Sequence, residues 1–238
     1  GYRAGLLHGE RGVGKTSLVA AVLPHLREQG AVVVTCADPT TPAESLAAGL
    51  AATGAQPTAG EAPSAFIARV VSNAPPSQLF LFVLDDIELA LAGPNGLGDE
   101  RITQELAEVF ARSMARASGR ARFLYVASSE RVHVFGHLEH RTGSLFPPTC
   151  RHELRRLPPD EASAVLGGLL AGAGEPGLPE AVVAGLGRGG PVLPADLQIA
   201  LLGLRELHVT SVAQLVRAGG GGELERHWLE GAARASGD

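Results

Sequence analysis

The feature that most constrains the fold is a glycine-rich loop near the start of the chain, in the stretch LLHGERGVGKTSL (residues 6–18). An apolar run ends at Gly9, four residues separate it from Gly14, and Lys15 and Thr16 follow at once. This is the full G-x-x-x-x-G-K-T spacing of a phosphate-binding loop. Because the apolar residues after the loop recur at helical spacing, the loop is predicted to join a buried strand to a helix, as this pattern requires.

The residue types in this loop are those that hold a di- or triphosphate. Glycines permit backbone angles that turn successive N–H groups toward one point, and the next helix adds its free donors and the positive end of its dipole. Lys15 is the only lysine among 20 Lys and Arg residues. Its compact charge reaches between the β- and γ-phosphates, where a planar guanidinium would not fit. The Thr16 hydroxyl is predicted to ligate Mg²⁺. The predicted nucleotide-binding residues are Gly9, Glu10, Arg11, Gly12, Val13, Gly14, Lys15, Thr16 and Ser17.

Strand and helix patterns alternate along the first two thirds of the chain. Beyond the loop, apolar runs predict further buried strands at residues 31–37, 78–86 and 121–129, and the segment RHELRRL (residues 151–157) is predicted to form a shorter fifth strand. Strands that alternate with helices predict βαβ units with helices on both faces of the sheet. The expected fold is therefore α/β, with a parallel five-stranded sheet flanked by helices.

The strand pattern ends near Pro158, and only helical segments follow. They are predicted to begin at Pro158 and to lie near residues 179–186, 195–207 and 223–233. We expect residues 1–157 to form the nucleotide-binding core. Residues 158–238 are expected to form a small helical lid subdomain with the start of a following region. Because the chain begins with Gly and enters a strand almost at once, it is expected to be a module of a longer protein.

Composition narrows the class of protein. Hydrophobic residues make up 45% and charged residues 19% of the 238 positions, which is ordinary for a globular protein. The net charge of −5 argues against a surface that binds nucleic acid throughout, so nucleic acid is not an expected partner. Cys36 and Cys150 lack any paired spacing, which predicts neither a zinc site nor a disulfide framework and leaves a reducing cytoplasm as the default. No apolar run is long enough for a membrane span.

Two acids end the apolar run QLFLFVLDD at residues 78–86. Asp85 is predicted to hold the Mg²⁺ shell from the carboxyl end of the sheet, where the ligands of α/β folds gather. Asp86 and Glu88 compete for the task of orienting or deprotonating the water that attacks the γ-phosphate.

A second polar group ends the run ARFLYVASS at residues 121–129. A strand placed between the phosphate-loop strand and the acidic strand often ends in a residue that senses the γ-phosphate. Ser129 is the catalytic candidate for this role, and Ser128 and Arg131 are alternatives. Serines at a strand end are also common turn residues.

Four motifs resemble the STAND class of signal-transducing P-loop NTPases, the relatives of NACHT and NB-ARC domains. They are LLHGERGVGKTSLVAAVLPHL, LFVLDDIEL, RHELRRLPPDEASAVL and GGPVLPADLQIALLGL. The resemblance implies that Glu88, three residues after Asp85, orients the attacking water, and that Pro194 lies near the base or ribose. It also implies an ATP-preferring switch with slow turnover, active as a homo-oligomer and coupled to effector and sensor domains.

Other functions compete with a switch that binds ATP and ADP. The main alternative is an AAA+-type ATPase that acts on DNA or protein assemblies. A non-hydrolysing scaffold is disfavoured because it has no need of Asp85 and Glu88. A small-molecule kinase is disfavoured because no substrate lid is recognisable.

Two further segments carry distinctive residues. His133, His137 and His140 are spaced for one helix face, but Gly136 interrupts the pattern, which predicts an exposed loop rather than a metal site. The four glycines at residues 219–222 predict a flexible hinge.

Overall fold

The computed structural model describes residues 3–93, 95–96, 98–116, 119–170, 172 and 174–236. The outer limits of the predicted domains, residues 1 and 238, thus lie outside the described residues. The chain divides into two compact units: Gly1–Glu10 with Lys15–Leu154, and Arg11–Gly14 with Arg155–Asp238.

The first unit is built on a parallel sheet. Its strands are β1 (Ala4–Gly9), β2 (Val32–Thr35), β3 (Phe80–Asp85), β4 (Ala121–Ser128) and β5 (Arg151–Leu154). The strand order is β2-β3-β4-β1-β5, and every neighbouring pair is parallel. The predicted α/β fold with a parallel five-stranded sheet is confirmed.

Helices cover the two faces of this sheet. They are α1 (Lys15–Glu28), α2 (Pro42–Ala51), α3 (Pro63–Asn73), α4 (Ile87–Ala92), α5 (Glu100–Arg116) and α6 (Phe135–Thr142). Two short 3₁₀ helices span Ser129–Val134 and Pro148–Cys150. Successive strand side chains point to opposite faces, so each strand serves two cores. Leu7, Val83 and Val126 pack with α1 on one face, whereas their neighbours such as Leu6 and Tyr125 pack with the other helices.

The prediction that the three histidines lie in a loop is wrong. The segment is the 3₁₀ helix Ser129–Val134 followed by α6. Phe135 and Leu138, three positions apart, are buried at 1% and 0% exposure, and this packing outweighs the low helix propensity of Gly136. The histidines lie on the exposed side of the segment. Among the described residues no group of three or more His, Cys, Asp or Glu is arranged to hold a metal ion.

The second unit is helical, as predicted for this part of the chain. Its helices are α7 (Pro159–Leu170), α8 (Leu178–Gly187), α9 (Pro194–Glu206), α10 (Val212–Arg217) and α11 (Gly221–Ser236). The core between them contains Leu166, Val182, Leu197, Leu204 and Leu224. Helix α10 was not predicted. It is six residues long, and its signal is a capping box in which Ser211 and Gln214 bond each other's backbone N–H.

The glycine run at residues 219–222 is a helix junction and not the predicted flexible hinge. Gly219 and Gly220 adopt φ of 94° and 88° and return hydrogen bonds to the last carbonyls of α10. Gly221 begins α11 against α8, where an added Cβ would lie 2.4 Å from the Val182 carbonyl oxygen. Gly219 and Gly220 therefore serve the left-handed turn, and Gly221 allows the close approach of the α11 backbone to α8.

No helix among the described residues has both the length and the apolar character needed to cross a membrane.

Candidate nucleotide-binding site

The glycine-rich loop joins β1 to α1. Gly9 is the last residue of β1 and Lys15 the first of α1, the strand–loop–helix context that the sequence predicts. Gly12 and Gly14 adopt φ of 82° and 94°, a region that L side chains rarely enter. Of the other predicted loop residues, Val13 is buried and the exposed ones are Glu10, Arg11, Thr16 and Ser17.

The Lys15 side chain turns back toward the start of the loop. Its Nζ donates hydrogen bonds to the carbonyl oxygens of Gly9 and Glu10, both at 3.0 Å. Two carbonyls hold a compact ammonium group with three donors in this position. The amine therefore lies where the loop backbone begins to turn.

Thr16 and Asp85 come together from distant parts of the chain. Thr16 Oγ1 donates a hydrogen bond to Asp85 Oδ2 at 2.7 Å, and Asp85 Oδ1 accepts the backbone N–H of Asp86 at 3.0 Å. Strand β4 lies between β1 and β3, so Asp85 ends a strand that is not adjacent to the strand of the phosphate loop. The contact forms because α1 begins at Lys15 and presents Thr16 to the end of β3.

This pair of oxygens fits the way that proteins hold Mg²⁺. Magnesium usually takes one or two protein oxygens and completes its shell with substrate phosphates and water. A hydroxyl and a carboxylate 2.7 Å apart at the start of the phosphate-loop helix supply that kind of donor set. Thr16 and Asp85 are thus the residues that would hold the metal.

The two competing acids, Asp86 and Glu88, lie in opposite environments. Asp86 is exposed and adopts a left-handed backbone conformation, with φ 54° and ψ 17°, immediately before α4. Such a conformation is costly for a residue with a side chain, though Asp tolerates it better than most, and it occurs often at functional sites.

Glu88, in contrast, is only 2% exposed. Its Oε1 accepts the backbone N–H of Ser128 at 2.8 Å, while its Oε2 is buried with no hydrogen-bond partner within the described structure. Burial raises the pKa of the Glu88 carboxyl, and the charges of Asp86 and Asp85 add to this effect. Its carboxyl group is thus enclosed in the fold rather than presented to solvent.

The predicted sensor residues follow the end of β4. Ser128 pairs with Gly9 in the sheet register, and the Ser129 hydroxyl lies 2.9 Å from His8 Nδ1. Burial lowers the pKa of the His8 ring, which favours its neutral form. Arg131 is exposed on the 3₁₀ helix Ser129–Val134.

His8 was not predicted as part of the site. Its signal is one polar residue in an otherwise apolar strand, directly before the glycine loop. Pro194 is the first residue of α9 in the second unit. The roles assigned to these residues in nucleotide binding stay predictions.

Comparison with known proteins identifies relatives of the site-bearing region and of the fold. The model of a family described as "AAA ATPase domain" matches residues 1–127, slightly more than half of the chain. No curated protein matches the sequence.

Solved structures of ATPases share the fold. The ORC2 protein of Aeropyrum pernix in its ADP form matches with a TM-score of 0.62 and 15% identity over 96% of this chain and 62% of that chain. The ORC1 protein of Aeropyrum pernix in complex with DNA matches with a TM-score of 0.58 and 18% identity, over 87% of this chain and 55% of that chain. A Walker-type ATPase of Pyrococcus abyssi matches with a TM-score of 0.57 and 16% identity, over 97% of this chain and 67% of that chain. The chain thus spans less than two thirds of either ORC protein.

Proposed function

The chain belongs to the AAA ATPase domain family, and from that premise we propose that it binds Mg²⁺-ATP at residues 9–17 and hydrolyses it as a module of a larger assembly. Family membership confirms the predicted enzyme class, an ATPase, and supports a P-loop NTPase. The observation that carries the proposed site is the hydrogen bond between Thr16 and Asp85 at the start of α1.

The residues divide the work of binding. The loop N–H groups and the amino end of α1 hold the phosphates, and Lys15 adds a positive charge. Thr16 and Asp85 hold Mg²⁺, which when bound neutralises charge on the phosphate oxygens. Asp85 keeps its Oδ1 on the Asp86 N–H, so the carboxylate is fixed in orientation.

Hydrolysis also needs an oriented water. We assign this role to Asp86, because its carboxylate is exposed next to Asp85, whereas Glu88 is enclosed. The water oxygen bonds to the γ-phosphorus and gives up a proton to the Asp86 carboxylate, the bond from that phosphorus to the bridging oxygen breaks, and ADP and inorganic phosphate leave. We assign to the Ser129 hydroxyl, which lies 2.9 Å from His8 Nδ1, a hydrogen bond to the γ-phosphate or to the water.

Kinetics separate the two acids. Asp86→Asn should lower kcat by about 10²-fold or more and keep the affinity for a fluorescent ATP analogue within a few-fold. Asp160→Asn, in the first turn of α7, is the matched control and should leave both unchanged. Parent-like turnover in Asp86→Asn would refute the assignment.

For the biological role we favour an AAA+-type ATPase that acts on DNA or on a protein assembly as a homo-oligomer. The family supports this role, and the similar ORC1 structure is bound to DNA. The second candidate is the STAND-like regulatory switch, which rests on the motifs at residues 151–166 and 189–204.

One experiment distinguishes these roles. Turnover is measured with and without duplex DNA and over a range of protein concentrations, and the mass in solution is measured with ADP and with ATP. Faster turnover on DNA supports the AAA+ role. Slow, DNA-insensitive turnover with ATP-dependent association supports the switch.

A further inference from the structure

Glu88 accepts a long-range hydrogen bond, and the proposed reaction does not explain why the fold contains it. Its Oε1 accepts the Ser128 N–H at 2.8 Å, across 40 positions of sequence. The carboxyl group is enclosed, and Oε2 finds no hydrogen-bond partner in the described part of the chain. Enclosing an acid in this way is costly, so the link needs an explanation beyond general stability.

The two ends of this link belong to the two segments that carry reacting groups. Glu88 is the second residue of α4, which directly follows the Asp85–Asp86 turn. Ser128 is the last residue of β4, and Ser129 follows it. Backbone pairing between β3 and β4 ends at Asp85 and Val126. The hydrogen bond of Glu88 therefore connects the two segments beyond the last paired residues.

The turn between β3 and α4 also requires support. Asp86 adopts a left-handed backbone, and its carbonyl accepts the Leu89 N–H at 3.1 Å, which ties the turn to α4. Strained backbone persists only when surrounding contacts determine it. The hydrogen bond from Ser128 to Glu88 therefore fixes the position of α4, and α4 in turn fixes the orientation of Asp86.

We infer that Glu88 is a positioning residue of this ATPase, whose bond to the Ser128 N–H fixes Asp86 and Ser129 relative to each other. The inference rests on the proposed function. It assigns Glu88 no contact with the nucleotide or the water. A loose link would leave both groups present but misaligned, which slows the chemical step and spares binding.

Two substitutions of similar size test the link. Glu88→Gln keeps an oxygen acceptor for the Ser128 N–H, and Glu88→Met removes it. We expect Glu88→Met to lower kcat roughly tenfold with KM for ATP within about twofold, as for the loss of one hydrogen bond. Glu88→Gln should restore kcat to within about threefold of the parent.

Hydrogen exchange of the Ser128 amide, followed by NMR, provides a readout that does not depend on hydrolysis. Exchange should be faster in Glu88→Met and parent-like in Glu88→Gln. A loss of about 10²-fold in kcat for Glu88→Gln would overturn the inference and make Glu88 the water-orienting acid. Unchanged kcat in Glu88→Met, even with a lower Tm, would also overturn it, because the role would then be structural alone.

Failure of the proposed function gives a different pattern. A parent chain that does not hydrolyse ATP refutes the proposed function, and the amide exchange still decides whether Glu88 holds the end of β4. A parent that hydrolyses ATP, with neither exchange nor kcat changed in Glu88→Met, refutes this inference alone.

Discussion

The Thr16 hydroxyl and the Asp85 carboxylate are joined by a hydrogen bond of 2.7 Å across 69 positions of sequence. Asp85→Asn should weaken Mg²⁺-dependent ATP binding and turnover together, at least tenfold, because an amide is a poorer magnesium ligand. Binding of a fluorescent ATP analogue, titrated with Mg²⁺, measures the effect. Thr16→Ser keeps the hydroxyl and should behave like the parent. If Asp85→Asn keeps the parent's Mg²⁺ dependence, the metal site is elsewhere.

Lys15→Arg keeps the positive charge but should weaken ATP binding at least tenfold. The Nζ atom lies 3.0 Å from two carbonyl oxygens at the start of the loop, and the wider, planar guanidinium cannot take the place of the compact ammonium group. Arg27→Lys, at the exposed end of α1, is a control for exchanging the two cations. Tight binding of the ATP analogue by Lys15→Arg would show that charge alone matters.

Gly221→Ala should destabilise the second unit by about 1–3 kcal/mol, because the new Cβ would lie 2.4 Å from the Val182 carbonyl oxygen. Urea unfolding followed by the fluorescence of Trp228, the only tryptophan, measures this change. Gly222→Ala, one residue on in the same helix, meets only the Gly185 oxygen at 3.8 Å. It should be neutral or slightly stabilising. Equal effects of the two alanines would contradict the packing argument.

Glu61 should make stability depend on pH. Arg69 donates two hydrogen bonds to its carboxylate, at 2.8 and 2.7 Å, and lowers the pKa of Glu61 from 4.5 to about 2. A depressed pKa stabilises the fold above the unfolded value of 4.5 and loses that contribution as the pH falls toward 2.

The Tm of Glu61→Gln should therefore lie below that of the parent near pH 7, and the gap should close between about pH 4.5 and pH 2. Glu44→Gln, at an exposed position of α2, is the control and should track the parent throughout. A gap that is constant with pH would mean that the carboxylate's charge is not what stabilises the fold.

The sheet and the phosphate loop could be predicted because their signals are local. The loop spacing is set by phosphate chemistry. A short apolar run such as that ending at Asp85 is typical of a buried strand. Helix α4 lacks such a signal. Helix α4 has six residues, and tertiary contacts rather than periodicity maintain it.

The setting of Glu88 could not be predicted from the sequence. A glutamate is rarely buried, and its partner Ser128 is 40 positions away. The prediction of a flexible hinge at residues 219–222 was wrong for a related reason. The same composition suits a mobile linker and a close helix contact, and only the position of the Val182 carbonyl decides between them.

The place of β1 in the sheet determines when the loop can become functional during synthesis. Among the strands that the structure describes, β1 pairs with β4 and β5, and the nearer of these in sequence begins at Ala121. Strand β1 therefore depends on partners that are synthesised after it, and such distant pairings are slow to form. A nascent chain that ends before Ala121 already contains every loop residue but lacks both strands that pair with β1. Affinity for ATP is thus acquired late in folding, and ATP can stabilise only chains in which the central strand is already in place.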